Sequence, residues 1–166
     1  MLDNILDWSN FQKSTSKFSK LRFSLVKEIN VILPIYSNIA NLRNITFMVQ
    51  MPTKVLVYGN SYSISVIIRN LLDNALKNSR SKVEIWVDTN KSLNGSSFII
   101  KNDLPVIIPT GAFDALTYLN SSSKNINEIN SIGLQLIKRY AKLNMIKIEA
   151  SIEDDFFLVK LFFENA

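Results

Sequence analysis

The hydrophobic positions change period several times along the chain, and these changes mark its elements. Leu2, Ile5, Leu6 and Phe11 share one side of a short amphipathic helix over about Leu2–Lys20. Ser24 is placed to cap a second helix that carries Leu25, Ile29, Ile32 and Ile39 to about Leu42, with Glu28 in its first turn. Pro34 falls inside that pattern and predicts a kink or break. Two short strands follow, Ile45–Met51 and Val55–Tyr58, joined by a turn at Pro52 to Lys54. Ile64, Ile68, Leu71 and Ala75 then return at helical spacing and predict a helix from about Tyr62 to Ser79.

Strands are predicted at Lys82–Val87 and Phe98–Lys101, separated by the polar turn Thr89–Gly95. A short helix follows over Ala112–Leu119. The Asn- and Ser-rich stretch Asn120–Asn130 has little to bury and reads as a mobile loop. The last helix, about Ile132–Leu143, carries Ile132, Leu136, Tyr140 and Leu143. Strands Ile146–Ile152 and Phe156–Phe163 close the chain around an acidic turn at Glu153 to Asp155. Several consecutive strands lack an intervening helix, which argues against a strictly alternating parallel fold. The order predicts a two-layer α/β sandwich with helices on one face of a mixed sheet.

Composition narrows the chemistry. The 166 residues fit one domain, and 47% hydrophobic with 20% charged residues is ordinary for a globular protein. There is no cysteine and no histidine, which removes thiolate metal sites, disulfides and the commonest general base. The net charge of +5 is spread along the chain without an aromatic and basic platform, so nucleic acid is not the expected partner. No apolar run reaches membrane-spanning length, and Asp3 and Asp7 stand where a signal peptide would be basic. A cytoplasmic protein is expected; any membrane part would lie outside this chain.

One helix carries candidate chemistry. Asn70, Asn74 and Lys77 recur at i, i+4 and i+7, so they share a face beside the buried seam. A carboxamide oxygen is a hard ligand suited to Mg²⁺, and a lysine supplies a mobile charge for phosphate. The bland alternative is the wet side of an amphipathic helix.

Asn70, Asn74, Ala75 and Lys77, with Ser79 following, resemble the N-box of sensor histidine kinases, Asn-x-x-x-Asn-Ala-x-Lys. These kinases belong to the ATPase superfamily shared with gyrase and MutL. Residues 2–12 resemble the end of the kinases' second dimerisation helix, residues 23–29 resemble the first helix of their ATP-binding domain, and residues 57–60 match the entry to the N-box helix. The resemblance implies a Bergerat-type ATPase fold, with residues 1–20 ending a dimerisation helix and residues 21–166 forming the ATP-binding domain. It implies ATP and Mg²⁺ as cofactors, with Asn74 and Asn70 on the metal and Lys77 on phosphate. It further implies that residues 120–130 form a lid over the nucleotide. The partners it implies are acceptor-histidine helices, a response regulator indirectly, and a second copy of the chain through the N-terminal helix.

The glycine boxes depart from the family pattern. In the first, Asn102 stands where an Asp reads adenine, and Leu104 and Val106 replace glycines; an alternative register places Asp103 at the base, and Asn102 is favoured. The second box reads Ser131, Ile132, Gly133, Leu134, Gln135, Leu136 and keeps only its middle glycine. Ser131, Gly133, Leu134 and Leu136 are the implied phosphate-side residues, with Ser131 as helix cap. Gln135 is expected to crowd the triphosphate, and Asn78 replaces an aromatic that stacks on the base. Three readings follow. One is the catalytic domain of a histidine kinase, acting on a histidine outside this chain. Another is a pseudokinase-type docking module that binds ATP weakly or not at all. A stand-alone switch kinase related to anti-sigma factors is the third, disfavoured by the helix-like start.

Overall fold

The computed structural model describes residues 19–90, 95–121 and 131–166. Its elements are β1 (Leu21–Ser24), α1 (Leu25–Leu42), β2 (Thr46–Gln50), β3 (Leu56–Gly59), α2 (Ser61–Asn78), β4 (Lys82–Asn90), β5 (Gly95–Asp103), α3 (Thr110–Asn120), α4 (Ile132–Asn144), β6 (Lys147–Glu153) and β7 (Phe156–Glu164). Five strands form a mixed sheet in the order β2-β4-β5-β7-β6, with β2 parallel to β4 and the other pairs antiparallel. The helices pack on one face of it, in the predicted two-layer arrangement. Alternate residues of the central strands, among them Val83, Ile85, Ile100, Val159 and Leu161, are buried beneath Ile64, Ile67, Ile68 and Leu71 of α2.

Most expected elements lie within a few residues of their predicted ends, and the differences are instructive. β1 was not expected: four residues with little apolar pattern pair antiparallel with β3, Leu21 opposite Gly59. The helix expected over residues 2–20 lies outside the described residues apart from Ser19 and Lys20, which are irregular. Pro34 does not break α1. Pro34 and Asn30, whose carbonyl loses its donor, are both on the exposed side, where water can satisfy the oxygen. Ser24 caps α1 as expected, accepting from the Lys27 amide at 3.3 Å. The final helix is turned relative to expectation. Ile132 is 37% exposed, whereas Leu134, Leu136, Ile137, Tyr140 and Asn144 are buried. Asn120, expected in the mobile loop, ends α3, and Ser122 to Asn130 lie outside the described residues.

Asp103 fixes the exit of α2. Its carboxylate accepts from the Ser79 hydroxyl at 2.6 Å, the Ser81 hydroxyl at 2.5 Å and the amides of Arg80, Ser81 and Lys82 at 2.9–3.1 Å. Burial alone would raise its pKa, but the hydroxyl and amide donors outweigh that and hold the carboxyl well below the usual range. A depressed native pKa adds stability above the unfolded value of about 3.9 that is lost as pH falls toward the native value. Asp103→Asn should therefore cost about 2 kcal/mol at pH 7. In urea unfolding, the gap to wild type should hold down to about pH 4 and close below it; a gap constant down to pH 2 would contradict this role.

Candidate nucleotide-binding site

Helix α2 starts where Asn60 accepts from the Ser63 amide at 3.0 Å. Helix α4 runs antiparallel beside it, and both ends of their contact are fixed by asparagines. At one end, Asn144 of α4 accepts from the Asn60 amide at 2.7 Å and donates to the Ser63 hydroxyl at 2.7 Å and the Tyr140 carbonyl at 2.8 Å. At the other, Asn70 of α2 lies against Gly133 of α4. A Cβ on Gly133 would come within 2.7 Å of the Asn70 Oδ1, so any side chain there would require the Asn70 carboxamide to shift. Asn70 is buried, and its Nδ2 donates to the Val66 carbonyl of its own helix at 2.8 Å.

Since α4 begins at this level, the following turns of α2 are left uncovered and face a cavity of about 810 Å³ between α2 and α3. Two cross-strand pairs of β5 and β7 provide its floor, Ile100 with Val159 and Asn102 with Phe157. Asn74, Lys77 and Asn78 line it from α2, and Ser131 and Leu134 from the start of α4. Ser131 caps α4 by accepting from the Leu134 amide at 3.4 Å. This directs a capped helix start, with its positive dipole end, toward the same space.

The candidate residues therefore divide. Asn74, Lys77, Asn102, Ser131 and Leu134 line one cavity; Lys77 is exposed and Asn102 buried. Asn70, Gly133 and Leu136 do not line it: the first two form the interhelical contact, and Leu136 is fully buried in the core. The shared face predicted for Asn70, Asn74 and Lys77 is thus split by the end of α4. Of the two registers at β5, Asn102 faces the cavity and Asp103 turns to the Ser79–Lys82 turn. Of the residues at lost glycine positions, Leu104 and Ser131 line the cavity. Val106, 86% exposed, and Gln135 do not.

A family model described as a GHKL domain matches residues 60–164, more than half of the chain. The chain belongs to the GHKL domain family. No curated protein matches the sequence. Among solved structures, the Acinetobacter baumannii histidine kinase AdeS superposes with TM-score 0.73 at 13% identity, covering 99% of this chain and 76% of that one. The catalytic domain of histidine kinase ThkA gives 0.71 at 14% identity, covering 89% and 97%. The mycobacterial sensor histidine kinase MprB gives 0.67 at 17%, covering 89% and 98%. The GHKL domain described here thus has the fold of histidine kinase catalytic domains.

A nucleotide's magnesium usually keeps several waters and phosphate oxygens and takes only one or two protein ligands. Asn74, half-buried on the cavity wall, fits that demand; Asn70, with its oxygen against Gly133, does not in this arrangement. Among the described residues no cluster of three acidic side chains offers an alternative. Two residues central to this geometry, Asn144 and Asp103, were not read as structural anchors. Asn144 left a signal, since Ile137, Tyr140 and Asn144 repeat at i, i+3 and i+7 on the buried face.

The Asn70–Gly133 contact is testable by a double-mutant cycle. Gly133→Ala should destabilise the wild type by about 1 kcal/mol and cost little in an Asn70→Ala background. Chemical denaturation of the four proteins measures the coupling, and strictly additive effects would remove the contact from the account.

Proposed function

We propose that this GHKL domain binds Mg-ATP in the α2–α3 cavity and serves as the catalytic domain of a two-component sensor histidine kinase. The phosphoryl acceptor would be a histidine on dimerisation helices outside this chain, which has no histidine of its own. A response regulator would receive the group afterwards, and the domain would work in the cytoplasm, alone or beneath a membrane sensor. The observation that carries the reading is the convergence of Asn74, Lys77 and Asn102 on one cavity beside the capped start of α4.

Phosphoryl transfer asks a protein mainly for placement and charge balance, and these residues suit that demand. Asn74 would hold the metal, whose charge would offset that of the phosphates. Lys77 would contact phosphate oxygens as a mobile ammonium, its exposed position suiting the ligand's charged end. Asn102 would read the base through its carboxamide, more weakly than a carboxylate would. Ser131 would keep the start of α4 in place for the phosphates.

A second reading keeps the fold for docking without nucleotide. It is favoured by Leu104, which lines the cavity at a position where the family has glycine, and by the packing of Asn70 against Gly133. Calorimetric titration with magnesium and a non-hydrolysable ATP analogue separates the two. Binding at or below millimolar concentration, weakened about tenfold or more by Asn74→Ala or Lys77→Ala, is expected. Absence of binding by the wild type would sink the kinase reading and leave the docking module.

A further inference from the structure

The deep part of the cavity offers a ligand one polar side chain. Most of the buried lining residues, among them Leu71, Ile100 and Leu104, have hydrocarbon side chains, and the Tyr118 hydroxyl is sealed inside the protein. Asn102 differs. The residue is 5% exposed, and its Nδ2 donates to the Asp103 carbonyl at 3.3 Å, a long bond to its own neighbour. Its Oδ1 accepts from no group among the described residues, yet it is not sealed, so it opens to the cavity. A buried carboxamide with an open acceptor and a spare Nδ2 hydrogen lacks the partners that burial normally requires.

No charge shares that depth. Lys101 and Asp103, the neighbours of Asn102 on β5, turn away from the cavity, one over the Phe156 ring and the other into the Ser79–Lys82 turn. The charged residues that do line the cavity, Lys77 and Asp114, are both solvent-exposed. Around Asn102 the floor is apolar, formed by Ile100, Phe157 and Val159. An uncharged ring with polar atoms on its edge suits these surroundings, while phosphates belong at Lys77.

We infer that Asn102 is a specificity-determining residue that admits purine nucleotides with either an amine or a carbonyl at ring position 6, rather than adenine nucleotides alone. The inference rests on the nucleotide reading above. A ring group pointed at a carboxylate has to be a donor, because a carbonyl oxygen there would meet a negatively charged acceptor. A carboxamide serves either group: Oδ1 accepts from an amine, and the spare Nδ2 hydrogen goes to a carbonyl. Turning the amide over exchanges the two at the cost of one long hydrogen bond. Strong selectivity needs a repulsive element against the wrong base, and Asn102 supplies none.

The test titrates the full chain with magnesium and non-hydrolysable analogues of ATP and of inosine triphosphate, whose bases differ only at ring positions 1 and 6. Wild-type affinities for the two should agree within about fivefold. Asn102→Asp should shift the ratio about tenfold toward the ATP analogue, with a cooperative melt showing that the variant folds. Asn102→Ala removes both groups and should weaken the two ligands equally, which keeps the test intact if the Asp variant does not fold. Wild-type affinities further apart than about fivefold, an Asp variant that discriminates no better than wild type, or an Ala variant that loses only one ligand would each overturn the role of Asn102. A wild type that binds neither ligand would defeat the nucleotide reading and this inference together; binding of the ATP analogue alone defeats only the inference.

Discussion

The close approach of α4 to α2 at Gly133 and Asn70 is the constraint on which the site depends. A side chain at Gly133 would displace the Asn70 carboxamide from this contact. With Asn144 tied to Asn60 and Ser63 at the far end, the pair is fixed in angle and in register along its length. Where α4 starts then decides what α2 can offer. Asn70 is covered and becomes packing, while Asn74 and Lys77, one and two turns further on, are left for the cavity. A single geometric event thus separates a structural asparagine from a candidate metal-binding one.

The sheet supplies the complementary constraint. The Asn102–Phe157 and Ile100–Val159 pairs present two rows of one pleat to the helices, so the floor is mostly apolar with one buried carboxamide. Asp103, the next residue on β5, points to the opposite face by strand alternation and fastens the turn after α2. Of the two neighbours, one lines the cavity and the other holds the helix that faces it. Such a division would suit the phosphoryl transfer proposed for this domain, where the protein contributes placement more than covalent chemistry.

Much of this was legible in the sequence because it follows from periodicity. Ile64, Ile68, Leu71 and Ala75 defined α2, and all four are buried. The strands of the large sheet were readable from their alternation, and Ser24 and Ser131 from cap chemistry. What could not be read depends on contacts between distant segments. Spacing puts Asn70 on the face of Asn74, but only the tertiary position of α4 says that this face changes environment halfway along. Pro34 breaks a helix by local rules, yet the exposure of Asn30 and Pro34 lets water do the repair. β1 is too short to show an alternation and exists because β3 offers it an edge. Nor does the sequence say which lost glycines matter in space: Leu104 and Ser131 line the cavity, whereas Val106 and Gln135 do not.

The central claim is that the α2–α3 cavity holds the nucleotide while Asn70 remains packing. A crystal structure of the domain with magnesium and a non-hydrolysable ATP analogue tests it directly. The account predicts the ligand over the Ile100–Val159 and Asn102–Phe157 pairs, the metal near Asn74, and the Asn70 carboxamide still against Gly133. A ligand seated elsewhere, or Asn70 swung out of the helix contact onto the metal, would contradict it.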